Sequence, residues 1–435
     1  MSALAKILVQ KGHEVTGSDL RGGAALESLG DLGVKVFTGH HPEVATTAEL
    51  VVASSAVPDY DEELEAARGT GIPTWRRPEL LEAITEDQPA VGATGTHGKT
   101  TTTALMITAL RSLGLDPSFI LGGELVEAGA NGHLGSDELL VLEADEAFRT
   151  FESIHFAGLV ITNVEPEHLE HFGSERDLLD SFISVARRVE GPVVACVDDP
   201  GSAAVAAAVP VLTYGMAVGS DWRLEELRSE GTGVRFILVG RGRRLRVSLP
   251  VPGEHVALDA AGALALLVEL GYDPEATAAG LSRFQGVGRR WEHRGTVSGV
   301  VLYDDYAHHP TEVAATLEAA REVAEGRLWA VFQPHLFSRT ERFSDEFGEA
   351  LSRADVVVVT DVYGAREAPV PGVTGKLVAD AAEGTGAEVH YVAHRGQLAE
   401  FLAPRVVEGD LVVTMGAGDI TLLPAELAKR LAGEA

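Results

Sequence analysis

The sequence is poor in cysteine and in positive charge, and it has no long apolar run. Its 435 residues include one cysteine, Cys196, so no internal disulfide framework can form, as is typical of proteins in a reducing cytoplasm. No apolar run reaches the roughly 18 residues that a membrane-spanning helix needs, and no basic stretch followed by an apolar one opens the chain. We therefore expect a cytoplasmic protein without membrane insertion.

Positive charge is scarce throughout the chain. Lys and Arg number 35 against 65 Asp and Glu, which gives a net charge of −30. A nucleic-acid-binding protein normally shows a basic surface, so this balance argues against a nucleic-acid partner. Any polyanionic substrate must instead meet a few local cations, helix N-termini or metal ions.

Short apolar runs alternate with helix-like stretches along the whole chain, which predicts parallel α/β domains. The fold class that we predict is α/β with three domains. They are a Rossmann-like N-terminal domain over 1–89, a central P-loop ATPase-like parallel sheet over 90–293, and a Rossmann-like C-terminal domain over 294–435. A pair of runs at 234–239 and 244–249 predicts a hairpin-like ribbon at the edge of the central sheet.

The strongest motif is a glycine-rich loop that follows a predicted strand at 90–94 and leads into a predicted helix. This is the context of a P-loop, in which backbone N–H groups converge on phosphate oxygens. The first glycine of the general pattern is Ala93 here. A glycine-rich turn without a ligand is the alternative, but the Gly-Lys-Thr sequence favours nucleotide binding. The candidate residues are Gly95, Thr96, His97, Gly98, Lys99, Thr100 and Thr101.

Two acidic segments end the next predicted strands. Glu-Ala-Asp-Glu (143–146) could hold Mg²⁺, and a solvated strand end is the alternative for Asp145 or Glu146 alone. Thr-Asn-Val-Glu-Pro-Glu-His (162–168) groups two carboxylates, an amide and an imidazole, and a polar loop that caps the following helix is its alternative. One carboxylate together with Thr100 and the phosphates of ATP would suffice for Mg²⁺.

A third polar segment, Asp-Asp-Tyr-Ala-His-His-Pro (304–310), ends the first strand of the last block. Its Asp and His residues could ligate zinc, but the P-loop favours polar contacts to ATP, an amino acid or Mg²⁺. His308 is open to a structural role. Arg290 precedes this block and Arg339 follows Phe-Gln-Pro-His (332–335). Either arginine could stabilise a transferring phosphoryl group or be an ordinary surface charge.

These segments together resemble the Mur ligases of peptidoglycan synthesis. The resemblance rests on the motifs above and on Phe-Gln-Gly-Val-Gly-Arg-Arg (284–290), Ser-Arg-Thr (338–340) and Gly-Ala-Gly-Asp-Ile (416–420), and it spans nearly the whole chain. Within the family, the segments at 304–310 and 332–335 look like those of the member that adds L-alanine. The resemblance implies ligation of L-alanine to UDP-N-acetylmuramate through an acyl phosphate, with ATP and Mg²⁺.

The resemblance also implies residue roles. The N-terminal domain would bind the UDP-sugar, the central domain ATP, and the C-terminal domain the amino acid. Thr100 and Glu165 are the expected Mg²⁺ ligands, and Lys99, Arg290 and Arg339 the expected charge-stabilising groups. Further expected contacts are His168 at substrate or metal, Asp305 at the ribose and His309 at the alanine site. A homodimer is left open.

Three departures from the family pattern stand out. The first strand and the glycine-rich loop that normally precede Met-Ser-x-Leu-Ala are missing before Met1, and we expect a start codon placed too late. Val256 and Asp259 replace two asparagines expected near the adenine, and Asp cannot donate as an amide does. The residues after Asp145 lack the usual Ser-Asp.

Three other functions compete with the alanine-adding ligase. One is a related ligase that adds another amino acid or a peptide. Another is a truncated nucleotide-binding paralogue that acts as a scaffold. The last is a plain P-loop ATPase or kinase, against which the two additional Rossmann-like blocks argue.

Overall fold

Strands and helices alternate from the first residues to the last in the structure, a computed structural model that describes residues 1–365 and 367–433. Their contacts divide the chain into two units. The first holds Met1–Glu226, Phe236–Ser248 and Leu258–Gln285, and the second holds Leu227–Arg235, Leu249–Ala257 and the chain from Gly286 onward. None of the described helices is both long enough and apolar enough to cross a membrane.

The N-terminal part of the first unit contains four short strands in two separate parallel pairs. Strand β1 pairs with β2, and β3 pairs with β4. The strands are β1 (Thr16–Asp19), β2 (Lys35–Thr38), β3 (Val51–Ala53) and β4 (Thr74–Arg76), and the helices are α1 (Ser2–Gln10), α2 (Ala24–Asp31), α3 (Pro42–Ala45), α4 (Glu62–Gly69) and α5 (Arg77–Asp87).

A ten-stranded sheet forms the centre of the first unit. Its strands are β5 (Ala90–Thr94), β6 (Ser118–Leu125), β7 (Ala130–His133), β8 (Leu140–Glu143), β9 (Phe156–Ile161), β10 (Val193–Cys196), β11 (Leu212–Gly215), β12 (Trp222–Glu230), β13 (Gly233–Gly240) and β14 (Arg243–Leu249). They lie in the order β14-β13-β12-β11-β10-β9-β5-β8-β6-β7. The helices are α6 (Lys99–Ser112), α7 (Leu169–Phe172), α8 (Glu175–Arg188), α9 (Pro200–Ala208), α10 (Glu254–Glu269) and α11 (Pro274–Gly280).

Strand β5 lies inside this sheet, paired in parallel with β8 on one side and β9 on the other. All five of its residues are buried, as expected for a parallel strand covered on both faces. The carboxyl ends of β5, β8 and β9 therefore meet at one edge of the sheet, where the loops after Thr94, Glu143 and Ile161 come together.

The second unit contains a six-stranded sheet in the order β15-β16-β20-β17-β18-β19. Its strands are β15 (Glu292–Val297), β16 (Val300–Asp305), β17 (Leu328–Phe332), β18 (Val356–Val359), β19 (Glu388–Tyr391) and β20 (Leu411–Met415). The helices are α12 (Pro310–Val323), α13 (Phe337–Arg342), α14 (Ser344–Leu351), α15 (Gly375–Gly384), α16 (Leu398–Leu402) and α17 (Leu423–Leu431).

Both faces of this sheet carry an apolar core. Leu328, Ala330 and Phe332 of β17 lie in one cluster, and Trp329 and Val331 lie in the other. Successive side chains of a strand point to opposite faces, so an unbroken apolar run serves both cores. This explains why the run could be recognised as a strand from sequence.

The α/β class and the alternation of strands and helices are confirmed. The predicted strand at 90–94 has the predicted bounds, and β14 lies at the edge of the central sheet as the ribbon prediction required. Strands β6, β7, β11, β12 and β15 were not predicted. In strand β6 two adjacent glycines follow three apolar residues, and β12 is largely charged, so neither shows a long apolar run.

The single thiol lies within the first unit. Cys196 ends β10 and is buried, and burial raises the pKa of the thiol to about 12. It is therefore protonated and shielded in the folded chain.

Candidate functional site

The loop 95–98 joins β5 to α6 and has a backbone that requires glycine at both ends. Gly95 has φ +138° and Gly98 has φ +80°. A Cβ on Gly95 would clash with the Thr162 hydroxyl and stand 2.8 Å from the Asn163 carbonyl oxygen. The backbone thus passes directly against the end of β9, and only glycine permits that approach.

The residues that follow β9 hold the loop in shape. The His97 amide donates to Asn163 Oδ1 at 2.7 Å, and Asn163 Nδ2 donates to the His97 carbonyl at 3.2 Å. The Thr162 hydroxyl donates to the same carbonyl at 2.6 Å. The Thr96 amide donates to the Asn163 carbonyl at 3.1 Å. These hydrogen bonds fix the backbone of the loop, which favours anion binding at the N-terminus of α6.

Lys99 lies at the start of α6 and is surrounded by acids. Its Nζ donates to Glu146 Oε2 at 2.7 Å and lies 3.8 Å from Asp145 Oδ1. Burial alone would lower the pKa of Lys99, but the carboxylates of Glu146, Asp145 and Glu143 overcome it and raise the pKa above its ordinary value. Lys99 is therefore a permanent cation at the loop.

Thr100 and Glu165, the expected Mg²⁺ ligands, both lie in the first unit. Thr100 is buried in the first turn of α6. Glu165 follows β9, where its amide donates to Thr96 Oγ1 at 2.8 Å and its Oε2 lies 3.5 Å from His97 Nε2. A hydroxyl and a carboxylate bordering one loop are the oxygen donors that Mg²⁺ prefers, so the residues present fit such an ion.

His168 lies beside a second group of donors. Its Nε2 is 3.8 Å from Glu146 Oε1, and ligand atoms of Glu146, Glu167 and His168 lie within 4.8 Å of one another. This group could also hold a divalent cation. Glu167 and His168 are neighbours in one acidic segment that the sequence marked, and Glu146 belongs to another. Their contact with Glu146 could not be seen from spacing, because Glu146 follows a different strand.

Asp305 and Arg290 lie together in the second unit, at the end of β16. Asp305 accepts from the Trp291 amide at 2.7 Å and from the Ala307 amide at 2.7 Å. Burial raises the pKa of Asp305 to about 6, while the Arg290 guanidinium opposes that shift. Arg290 also lies 3.6 Å from Glu312 Oε1 and over the ring of Tyr306.

His309 and Arg339 lie in the same unit on different helices. His309 precedes α12, is buried, and contacts the edge of the Phe343 ring. Arg339 in α13 is buried, and its Nη1 lies 3.2 Å from His335 Nδ1. The His335 ring in turn stacks on Tyr363, a residue that the sequence reasoning did not select. Tyr363 belongs to none of the motifs in the sequence. The structure places it beside His335, with which it also forms an isolated β-bridge.

The preformed loop, its lysine and the surrounding carboxylates define a P-loop nucleotide-binding protein. The particular family follows from comparison with known proteins. The chain belongs to the Mur ligase family, a family of ATP-dependent ligases, as the resemblance of its motifs predicted. Three family models match it: the Mur ligase family catalytic domain at 1–88, the Mur ligase middle domain at 93–267, and the Mur ligase glutamate ligase domain at 289–418.

Similar proteins cover nearly the whole chain. A UDP-N-acetylmuramate–L-alanine ligase of Saccharopolyspora erythraea is 46% identical over 98% of this chain and 90% of its own length. One of Thermobifida fusca is 41% identical over 99% of this chain and 94% of its own length. The crystal structure of the UDP-N-acetylmuramate–alanine ligase of Thermotoga maritima aligns with a TM-score of 0.87 at 29% identity, covering 100% of this chain and 97% of that one.

Proposed function

We propose that this chain joins L-alanine to UDP-N-acetylmuramate with conversion of ATP to ADP and phosphate, in peptidoglycan precursor synthesis. The observation that carries the proposal is the 41–46% identity to L-alanine-adding ligases over 98–99% of the chain. The preformed P-loop supports it, because this loop supplies the phosphate-binding part of the reaction.

The proposed reaction has two covalent steps. A carboxylate oxygen of the muramoyl group attacks the γ-phosphorus of ATP, ADP leaves, and an acyl phosphate forms. The amine of alanine then attacks the acyl carbon and loses a proton, and inorganic phosphate leaves from the tetrahedral intermediate. The amide bond and the released phosphate balance the cleavage of ATP.

The loop residues are proposed to bind ATP. Backbone amides between Gly95 and Gly98, together with Thr101 in the first turn of α6, would face the phosphates, and Lys99 would neutralise the outer ones. Mg²⁺, when bound by Thr100 and Glu165, would supply further charge neutralisation on the phosphate oxygens.

The remaining candidates are proposed to serve the acceptor and the amine. Arg290 and Arg339 would contact phosphate or substrate, since Arg339 is buried and Arg290, 30% exposed, is held beside Glu312. Asp305, with its two backbone donors, is a fixed acceptor for a ribose hydroxyl. His309 would line the alanine site, and His168 would contact substrate or metal.

The domain roles are also part of the proposal. Residues 1–89 would bind the UDP-sugar, 90–293 would bind ATP, and 294–435 would bind the amino acid. We propose a cytoplasmic location, which the single buried thiol of Cys196 supports. A homodimer is the proposed alternative to a monomer, and sedimentation velocity of the purified chain distinguishes the two.

Phosphate release by the purified chain tests the activity. We expect release only when Mg·ATP, UDP-N-acetylmuramate and L-alanine are all present, and a mass spectrum should show the alanyl product. Glycine, D-glutamate and a whole tripeptide serve as competing amines. Lys99→Met should abolish release. The matched control Lys376→Met removes an exposed lysine of α15 that pairs with Asp380 on its own helix, and should leave release unchanged.

Each alternative function has its own result in this assay. Faster turnover with the tripeptide would identify a peptide-adding ligase. Release that ignores sugar and amine would identify a plain ATPase. Nucleotide binding without any turnover would identify a paralogue that has lost the reaction.

A further inference from the structure

The ammonium group of Lys99 has all three of its donors engaged within the first unit. Nζ donates to the Gly95 carbonyl at 2.7 Å, to the Thr96 carbonyl at 2.9 Å and to Glu146 Oε2 at 2.7 Å. A lysine ammonium has three N–H donors and no acceptor. In this arrangement no donor of Lys99 remains for a phosphate, so binding of a γ-phosphate requires that at least one of these contacts be given up.

Glu146 is the partner whose release matters most. Its side chain is 1% exposed, whereas that of Asp145, the other acid near Nζ, is 34% exposed. Oε1 of Glu146 receives no hydrogen bond from the residues within 1–365 and 367–433. Without Lys99 this buried carboxylate would be left with the His168 ring, whose Nε2 lies 3.8 Å from Oε1, and loss of a hydrogen-bonded cation from a buried carboxylate is strongly unfavourable.

The backbone around Glu146 keeps its carboxylate in place. Phe148 and Arg149, both non-glycine residues, have φ +55°, a conformation that costs roughly 1–3 kcal/mol per residue. The Arg149 amide donates to the Glu146 carbonyl at 2.9 Å, and the Arg149 guanidinium lies over the Phe172 ring. Glu146 therefore stands at the start of a strained turn whose backbone these contacts hold.

We propose that Glu146 is a positioning residue that competes with the triphosphate of ATP for Lys99 and thereby sets the affinity of the loop for triphosphates. This inference rests on the proposed function, because it takes ATP to be the ligand of the loop. Glu146 holds the lysine in the nucleotide-free loop, and the incoming γ-phosphate must displace it. The competition affects only ligands whose phosphates reach Lys99. The affinity for a nucleoside monophosphate should therefore not depend on Glu146.

Glu146→Gln tests the competition at pH 9, because burial raises the pKa of Glu146 to about 8 and the side chain is charged above it. The amide keeps the shape and an acceptor oxygen but loses the charge. Calorimetric titration of the full chain with Mg²⁺ and a non-hydrolysable ATP analogue should show affinity about tenfold higher than in the wild type, the change that corresponds to about 1.4 kcal/mol. Titration with AMP should show no change. Asp180→Asn is the control, and its effect on analogue affinity should stay below about threefold, because Asp180 is 60% exposed on α8 and pairs with Arg176 on its own helix.

Glu146→Asp keeps the charge on a shorter side chain and should give an affinity between those of the wild type and the glutamine variant. It also replaces the glutamine variant if that one fails to fold. Equal weakening for the analogue and AMP, with a lower melting temperature, would show a structural role and overturn the proposal. Weaker analogue binding only when Mg²⁺ is present would assign Glu146 to a metal and overturn it too.

The two proposals fail differently. The titration needs neither sugar nor alanine. A wild-type chain that does not bind the analogue overturns both proposals, whereas one that binds it without ligating alanine overturns the proposed function alone.

Discussion

Replacing Asn163 by alanine tests whether the loop is held in shape from the end of β9. The side chain accepts from the His97 amide and donates to the His97 carbonyl. The carbonyl keeps the Thr162 hydroxyl as a donor after the replacement, so the loss falls mainly on the amide. A buried donor left without its acceptor costs about 1–3 kcal/mol, and loss of the second, longer bond adds about 1 kcal/mol.

The expected destabilisation of the loop is therefore about 2–4 kcal/mol. If binding requires the same loop shape, this energy must be supplied on binding, and the affinity for a non-hydrolysable ATP analogue should fall about 30- to 900-fold. Calorimetric titration measures the affinity, and thermal unfolding measures the stability. Asn163→Asp keeps the acceptor for the His97 amide and should lose less affinity than the alanine variant.

Asn131→Ala is the matched control for this prediction. Asn131 belongs to the same unit, and its amide nitrogen donates to the Ser2 hydroxyl at 3.0 Å, away from the loop. We expect it to leave nucleotide affinity unchanged. An Asn163→Ala variant that binds the analogue as tightly as the wild type would refute the view that these hydrogen bonds preorganise the loop.

Two further predictions concern buried ionisable groups. Lys99→Met should destabilise the first unit by about 3–5 kcal/mol in urea unfolding, because Glu146 is left without its cation. Adding Glu146→Gln should restore most of that stability without restoring ligation. A double variant as unstable as the Lys99→Met variant would contradict this explanation. Burial raises the pKa of Asp305 to about 6, so the folded chain holds its proton more tightly than the unfolded one, and stability present below pH 3.8 is lost as the pH rises through 6. Between pH 4 and 6 the loss is about 2 kcal/mol, and Asp305→Asn should remove this part of the pH dependence in urea unfolding. An unchanged pH dependence in that variant would show that other groups cause it.

The loop and the central strands could be predicted because their signals are contiguous in the sequence. Strand β17 is a five-residue apolar run, and Gly-Lys-Thr (98–100) ends the loop 95–98 and begins α6. Strand β12 has no such run, because Glu and Arg fill most of its positions after Trp222. Its place near the sheet edge lets those charges reach solvent, and no local pattern indicates that place.

Contacts between distant segments could not be predicted. Asn163 and His97 are 66 positions apart, and Lys99 and Glu146 are 47 apart. The sequence marked the absence of Ser-Asp after Asp145 as unusual, but it could not show that the turn there fixes an acid against Lys99. The parallel pairing of β5 with β8 and β9 brings both pairs of residues into contact. Strand pairing depends on the whole sheet and not on the local sequence.

The lone thiol of β10 makes the opening of the first unit measurable by itself. Since Cys196 is buried and protonated when that unit is folded, a maleimide or disulfide reagent can modify it only after the central sheet opens. The rate of labelling therefore follows transient exposure of the first unit alone, whereas tryptophan fluorescence reports both units, since Trp75 and Trp222 lie in the first and Trp291 and Trp329 in the second. A variant that shifts the fluorescence transition without changing the labelling rate can then have its damage assigned to the second unit without cutting the chain.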